Sequence, residues 1–178
     1  MGVYARGIWS LAAFLVVAGP LRAQDKEAQP LKMVYAVWDN PGGAGNAIAH
    51  MNKKTYDLVE AYAVIVKDKS GKVEVKQRHN KAGGSATAMA ASETIDTAIA
   101  RIGALPANAA DSASGYRPAS GPASKLSDSD LKKVVGMLGP GESGALLISP
   151  KPDVSEVQNF VGMGGKDAPQ VVVVDIQQ

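Results

Sequence analysis

The stretch "VYAVWDNPGGAGNAIAHM", Val34 to Met51, runs from β-branched and aromatic residues into glycines and then into a helical pattern. That is the layout of a turn that cradles a nucleotide phosphate. A dinucleotide fingerprint needs G-x-G-x-x-G, because its glycines permit a tight turn, close pyrophosphate approach and close helix–strand packing. Counting from Gly43 gives Gly43, Gly45 and then Ile48, so the third glycine is missing. The acid that would hold a ribose should end the second strand, whereas Glu60 begins it. A P-loop needs Gly-Lys-Ser/Thr, and Gly45 is followed by Asn46. Gly42, Gly43 and Gly45 therefore read as a turn with a flexible helix start. Their residual chemistry is a weak anion site on helix amides.

Other constellations are equally incomplete. "GESGA", Gly141 to Ala145, approaches the nucleophile elbow G-x-S-x-G, but Ala145 replaces the last glycine. It also lies between a helix and a strand, where the elbow needs strand, turn, helix; Ser143 reads as a turn residue. His50 and His79 lack the spacing of a metal pair with a carboxylate such as Asp39, and read as solvated surface histidines. Met33, Met51, Met89, Met137 and Met163 are scattered at core-like positions rather than grouped for copper. No pair of carboxylates stands out for acid–base work. The expectation is a non-enzyme with no catalytic residue, no metal site and no cofactor.

The elements that would position these residues follow from hydrophobic patterning. "MVYAVW" reads as a buried strand, and Ala44 to Tyr56 as one helix with Ile48 and Met51 facing inward. In "VEAYAVIVKDKSGKVEVKQ" two strands flank the turn "DKSG"; Val73 and Val75 alternate with Lys72, Glu74 and Lys76, which puts one face in the core and one in water. "SATAMAASETIDTAIARIGAL" places Met89, Ile95, Ile99 and Ile102 on one side of an amphipathic helix, residues 86–102. "PANAADSASGYRPASGPASK" is too poor in large apolar residues to pack, so 106–124 reads as a flexible loop. Ser127 caps a helix with Asp130 three residues on, and Gly139-Pro140-Gly141 ends it. "ALLIS" is a strand, "PDVSEVQNFVGMGG" a short helix, and "QVVVVDI" a buried final strand. The order β-α-β-β, inserted helix and loop, α-β-α-β predicts an α+β, ferredoxin-like sandwich in a single domain over 32–176.

The chain opens with the three-part layout of a secretory signal peptide: Arg6, an apolar run from Ile8 to Ala18, then Pro20 and the small Ala23. The run is about half the ~20 residues a spanning helix needs. Cleavage after Ala23 would leave Gln24 first, followed by a mobile leader over 24–31; retention as a short anchor is the alternative. The 19 basic residues would lose Arg6 and Arg22, leaving 17 against 17 acidic ones. That balance gives no electrostatic footprint for nucleic acid. The absence of cysteine rules out disulfides, thiolate metal sites and a thiol nucleophile. The expected location is periplasmic or secreted.

In order, a strand, a helix, "YAVIVKDKSGKVEVKQ", a glycine- and alanine-rich middle, "LGPGESGALLIS" and "GGKDAPQVVVV" resemble a bacterial domain-of-unknown-function family often labelled uncharacterised membrane protein. The resemblance spans Lys32 to Lys81 and Leu126 to Ile176. It implies a ferredoxin-like α/β domain and carries no catalytic residue across. This chain departs from the family in the middle, where the relatives are hydrophobic and this one has Glu93, Asp96 and Arg101. Each would cost about 2.5–3.5 kcal/mol at a bilayer centre, so no stable membrane span is expected in the mature chain.

Three functional classes remain. The leading expectation is a domain that acts through self-association or an envelope protein partner, with Met89, Ile95, Ile99 and Ile102 as the contact stripe. The second is a small-ligand binder using the sheet face or the Gly42–Gly45 turn. The third is an undetected hydrolase.

Overall fold

Runs of β-branched and other apolar residues draw five strands into one antiparallel sheet, and helices cover both of its faces. A computed structural model describes residues 30–82, 85–104, 126–163 and 168–177. The expected signal peptide at 1–23, residues 24–29 of the leader and the expected loop at 106–124 lie outside the described residues. In chain order the elements are β1 (Leu31–Trp38), α1 (Gly43–Ala49), α2 (Lys53–Leu58), β2 (Ala61–Lys67), β3 (Val73–Asn80), α3 (Ala86–Gly103), α4 (Asp128–Met137), β4 (Ser143–Pro150), α5 (Val154–Gly162) and β5 (Gln170–Asp175). The sheet order is β3-β2-β4-β1-β5, with every neighbouring pair antiparallel.

The period-2 rule sorts the central strands onto two cores. Met33, Tyr35 and Val37 of β1 join Ala63, Ile65, Leu146 and Ile148 under α3 and α4. Val34, Ala36 and Trp38 join Val64, Ala145 and Leu147 under α1 and α5. Because both faces are buried, β4 is apolar almost throughout and buried along its whole length. The inserted helix thus belongs to a third layer. Ile95 and Ile102 are fully buried against the domain's own sheet and Ile99 packs beside them, while Met89 at the helix start is exposed. Among the described residues no helix is long and apolar enough to cross a membrane.

Several expected boundaries move. The domain begins one residue early, since Leu31 is buried in β1 rather than part of a leader. The single helix expected from Ala44 to Tyr56 is two: the chain turns at His50–Asn52, and the Asn52 side chain accepts the Thr55 N–H at 2.9 Å to start α2. β3 is an edge strand with Val75 exposed, and its alternation is broken by a bulge at Lys76, between the pairs Val64–Gln77 and Ile65–Val75. The final strand is the other edge, so Val171, Val172 and Val173 are half-buried, not buried. The hairpin turn and the α4 cap stand as read. Asp68 accepts the N–H groups of Ser70 and Lys72, and Gly71 takes the left-handed conformation at φ +89°. Ser127 accepts the Asp130 N–H at 3.1 Å.

Candidate functional site

The end of β1, the glycine turn and α5 enclose a cleft of about 450 Å³, within the roughly 300–1,000 Å³ common for small-molecule sites. Trp38 forms its floor, Asn46 and Ala47 of α1 with the following His50 one wall, and Phe160 and Val161 of α5 with the following Met163 the other, with Asn40 and Asn52 at the rim. Each wall has a local cause. Alanine and isoleucine bury one side of α1 on the sheet, which leaves Asn46 and His50, one helical turn apart, on the side facing the cleft. Val157 and Val161 anchor α5, and the Lys54–Glu156 ion pair at 2.9 Å ties α2 to it.

The glycine turn is a packing device. A Cβ on Gly43 would lie 2.4 Å from Trp38 Cβ and 2.5 Å from its Cγ, so only glycine lets α1 start against the indole root. Two amides at the turn are held by side chains: Asn40 Oδ1 accepts from the Gly42 N–H at 3.1 Å, and Ser143 Oγ from the Ala44 N–H at 3.0 Å. α1, which the turn opens, is only seven residues long.

Ser143 is not a turn residue. It opens β4, fully buried, and its hydroxyl donates to the Asn40 carbonyl at 2.7 Å while capping α1. The histidines bond elsewhere. His50 Nδ1 lies 2.7 Å from the Asn46 carbonyl. A carbonyl only accepts, so Nδ1 carries the hydrogen and the neutral ring presents Nε2 as an acceptor. His79 is half-buried rather than solvated, held between Tyr62 and Tyr56, whose hydroxyl lies 2.8 Å from Nε2. Burial, then the neighbouring Tyr56, raises the Tyr62 phenol above its ordinary value. Among the described residues no three His, Cys, Asp or Glu side chains gather as a metal site.

Within the cleft the hydrogen-bonding groups left over are informative. Asn52 uses its carbonyl as a cap, which leaves its NH₂. The Asn46 amide and His50 Nε2 have no partner among the described residues. The lining therefore mixes donors and acceptors, carries no formal charge when His50 is neutral, and sets them against Phe160, Val161 and Met163. Trp38 is only 3 % exposed, so it supplies a floor rather than an open stacking platform.

Sequence reading reached the glycine turn but missed the cleft. Asn46 and His50 at i, i+4 were a legible signal, as was Asn52 three residues before Thr55. Phe160 comes from a helix more than a hundred residues away and gives none. Two buried polar groups also escaped notice. Lys67, on the opposite face, is 5 % exposed and donates to the Leu138 carbonyl at the end of α4. The Tyr35 hydroxyl is buried without a partner among the described residues. Burial, then the Glu142 charge, pushes its pKa far above the ordinary phenol value.

No protein-family model, curated protein or solved structure matches the chain.

Proposed function

We propose that the protein is an exported, non-catalytic binding domain whose cleft between the glycine turn and α5 takes a small uncharged molecule. The observation that carries this reading is the lining itself: an apolar wall facing an amide, an NH₂ and, when the His50 ring is neutral, an imidazole acceptor, none with a partner among the described residues. Such a set rewards a ligand that has adjacent donors and acceptors on one side and an apolar surface on the other. Ions are poorly served, because desolvating a charge without a counter-charge is costly. The hydrolase reading loses support because the Ser143 hydroxyl is bound to Asn40 and Ala44. The inserted helix favours ligand binding over docking through its stripe, since Ile95 and Ile102 cover the domain's own sheet.

The same reading takes the domain core as a ferredoxin-like sandwich extended by β3, α3 and α4. Support comes from the strand order β2-β4-β1-β5 and from α1 and α5 lying on one face, which is two interleaved β-α-β units. Membership of the resembled family rests on the order of the short motifs, and export rests on Arg6, the Ile8–Ala18 run and Ala23.

The test is a thermal-shift panel of neutral saccharides, nucleosides and small amides against matched anions, repeated on Asn46→Ala and Phe160→Ala. At a hundredfold its dissociation constant a ligand adds about 2.7 kcal/mol of stability. A neutral compound should shift the melting temperature of the unaltered protein and of neither variant. A shift confined to anions, or one that survives both substitutions, would overturn the reading.

A further inference from the structure

The two edges of the sheet are unlike. β3 is guarded by Glu74, Lys76 and Arg78 and by the bulge at Lys76, devices that discourage further pairing. β5 carries Val171, Val172, Val173 and Val174 in sequence, with charge only at Asp175, and among the described residues no strand pairs with its outer side. Beside it Met163, 78 % exposed, shares a groove with Val171.

We infer that β5 pairs with β5 of a second copy of this chain, joining two sheets across a two-fold axis at Val173. The backbone sets the register. The Ile176 N–H reaches the Leu31 carbonyl, so the even residues of β5 point their backbone groups at β1. The alternation of an antiparallel ladder then turns the N–H and C=O groups of Val171, Val173 and Asp175 outward. With Val173 opposite its own copy, Val171 faces Asp175 of the second chain, and these facing pairs exchange about six hydrogen bonds.

Neighbouring registers are poorer. Centring on Val172 sets Asp175 against Pro169, which has no N–H to give. Centring on Val174 makes the two Asp175 side chains diagonal neighbours, a like-charge contact. In the Val173 register the centre of the seam is valine on both faces, Val173 on one and Val172 and Val174 on the other, and each Asp175, opposite Val171 of the copy, stays paired with Lys32 of its own chain at 3.1 Å.

Because the chain has no cysteine, single substitutions read the register without ambiguity. Val173→Cys sets two Cα atoms about 5.5 Å apart, within disulfide reach. Val171→Cys sets them about 14 Å apart, out of reach. Val75→Cys on β3 controls for random collision. Under mild oxidation Val173→Cys should form covalent dimer at least tenfold faster than either control. The unaltered protein should sediment as a dimer at 100 μM, and Val173→Lys as a monomer with unchanged far-ultraviolet circular dichroism. A monomeric unaltered protein, or equal cross-linking by Val171→Cys and Val173→Cys, overturns the inference. If Val173→Lys fails to fold, the cysteine comparison still decides.

Discussion

Gly43 and Gly45 sit two residues apart in the same short helix, and the structure assigns opposite signs to their replacement by alanine. At Gly45 nothing lies within 4 Å of the added methyl. Alanine there only lowers the entropy of the unfolded chain and improves helix propensity, a gain of about 0.5–1 kcal/mol. Position 43 receives the same gain against a collision, because the methyl meets Trp38 Cβ, Cγ and Cδ1 at 2.4, 2.5 and 2.8 Å. Those atoms are the root of a buried indole, not the loose end of a side chain, so α1 or the whole ring must shift. Overpacking of this kind costs about 1–3 kcal/mol, which against the same gain leaves a net loss of up to about 2.5 kcal/mol. Urea unfolding followed by circular dichroism at 222 nm resolves both changes. The melting points should part by several degrees, at about 2–4 °C per kcal/mol for a domain of this size. If both alanines stabilise the protein, the glycine turn is not the packing device described and its glycines need another explanation.

Further outcomes follow from buried groups. The Ile95→Asp, Ile99→Asp double substitution should cost more than about 3 kcal/mol, since it removes buried contacts and leaves charge without a partner; a neutral result by chemical denaturation would free α3 for contacts elsewhere. Tyr35→Phe should raise stability by about 1 kcal/mol, because the lost hydroxyl has no partner among the described residues to abandon; a loss of stability of that size in urea unfolding would reveal one. The Ser127 hydroxyl, then Lys133, holds the Asp130 carboxyl below its ordinary range. Its contribution is therefore complete above the unfolded value near about 4 and lost as pH falls through the lower folded value. Ser127→Ala, costing about 1 kcal/mol at neutral pH, should remove that part of the acid dependence in a pH series of unfolding curves; an unchanged acid limb would contradict the assignment.

Legibility in the sequence tracked the range of the interactions involved. The hairpin turn, the Ser127 cap and the strand cores are written in local spacing, and they stand where they were read. The break at Asn52 was equally local, but the apolar pair Ile48 and Met51 masked a side-chain cap that competes with helix continuation. What periodicity could not supply was the third dimension of the sheet. Gln170–Asp175 looks like a buried strand because it is valine-rich, and nothing in its own residues says that it ends the sheet. Ser143 resembled a nucleophile or a turn residue because its neighbours are glycines. Its partners, Asn40 and Ala44, are about a hundred residues away and give it a structural task. The cleft is non-local for the same reason: α5 closes it only after β4 and β5 have flanked β1.

In the proposed function the cleft binds an uncharged molecule through Asn46, His50 and Asn52. Side-chain amide resonances report this most directly, followed by two-dimensional nuclear magnetic resonance on uniformly ¹⁵N-labelled protein while a library of neutral and anionic fragments is added. Binding in the cleft should move the Asn46 and Asn52 NH₂ signals and the Trp38 indole N–H together, with neutral fragments as the hits. Hits that are anionic, or that leave those three signals still while moving others, would contradict it.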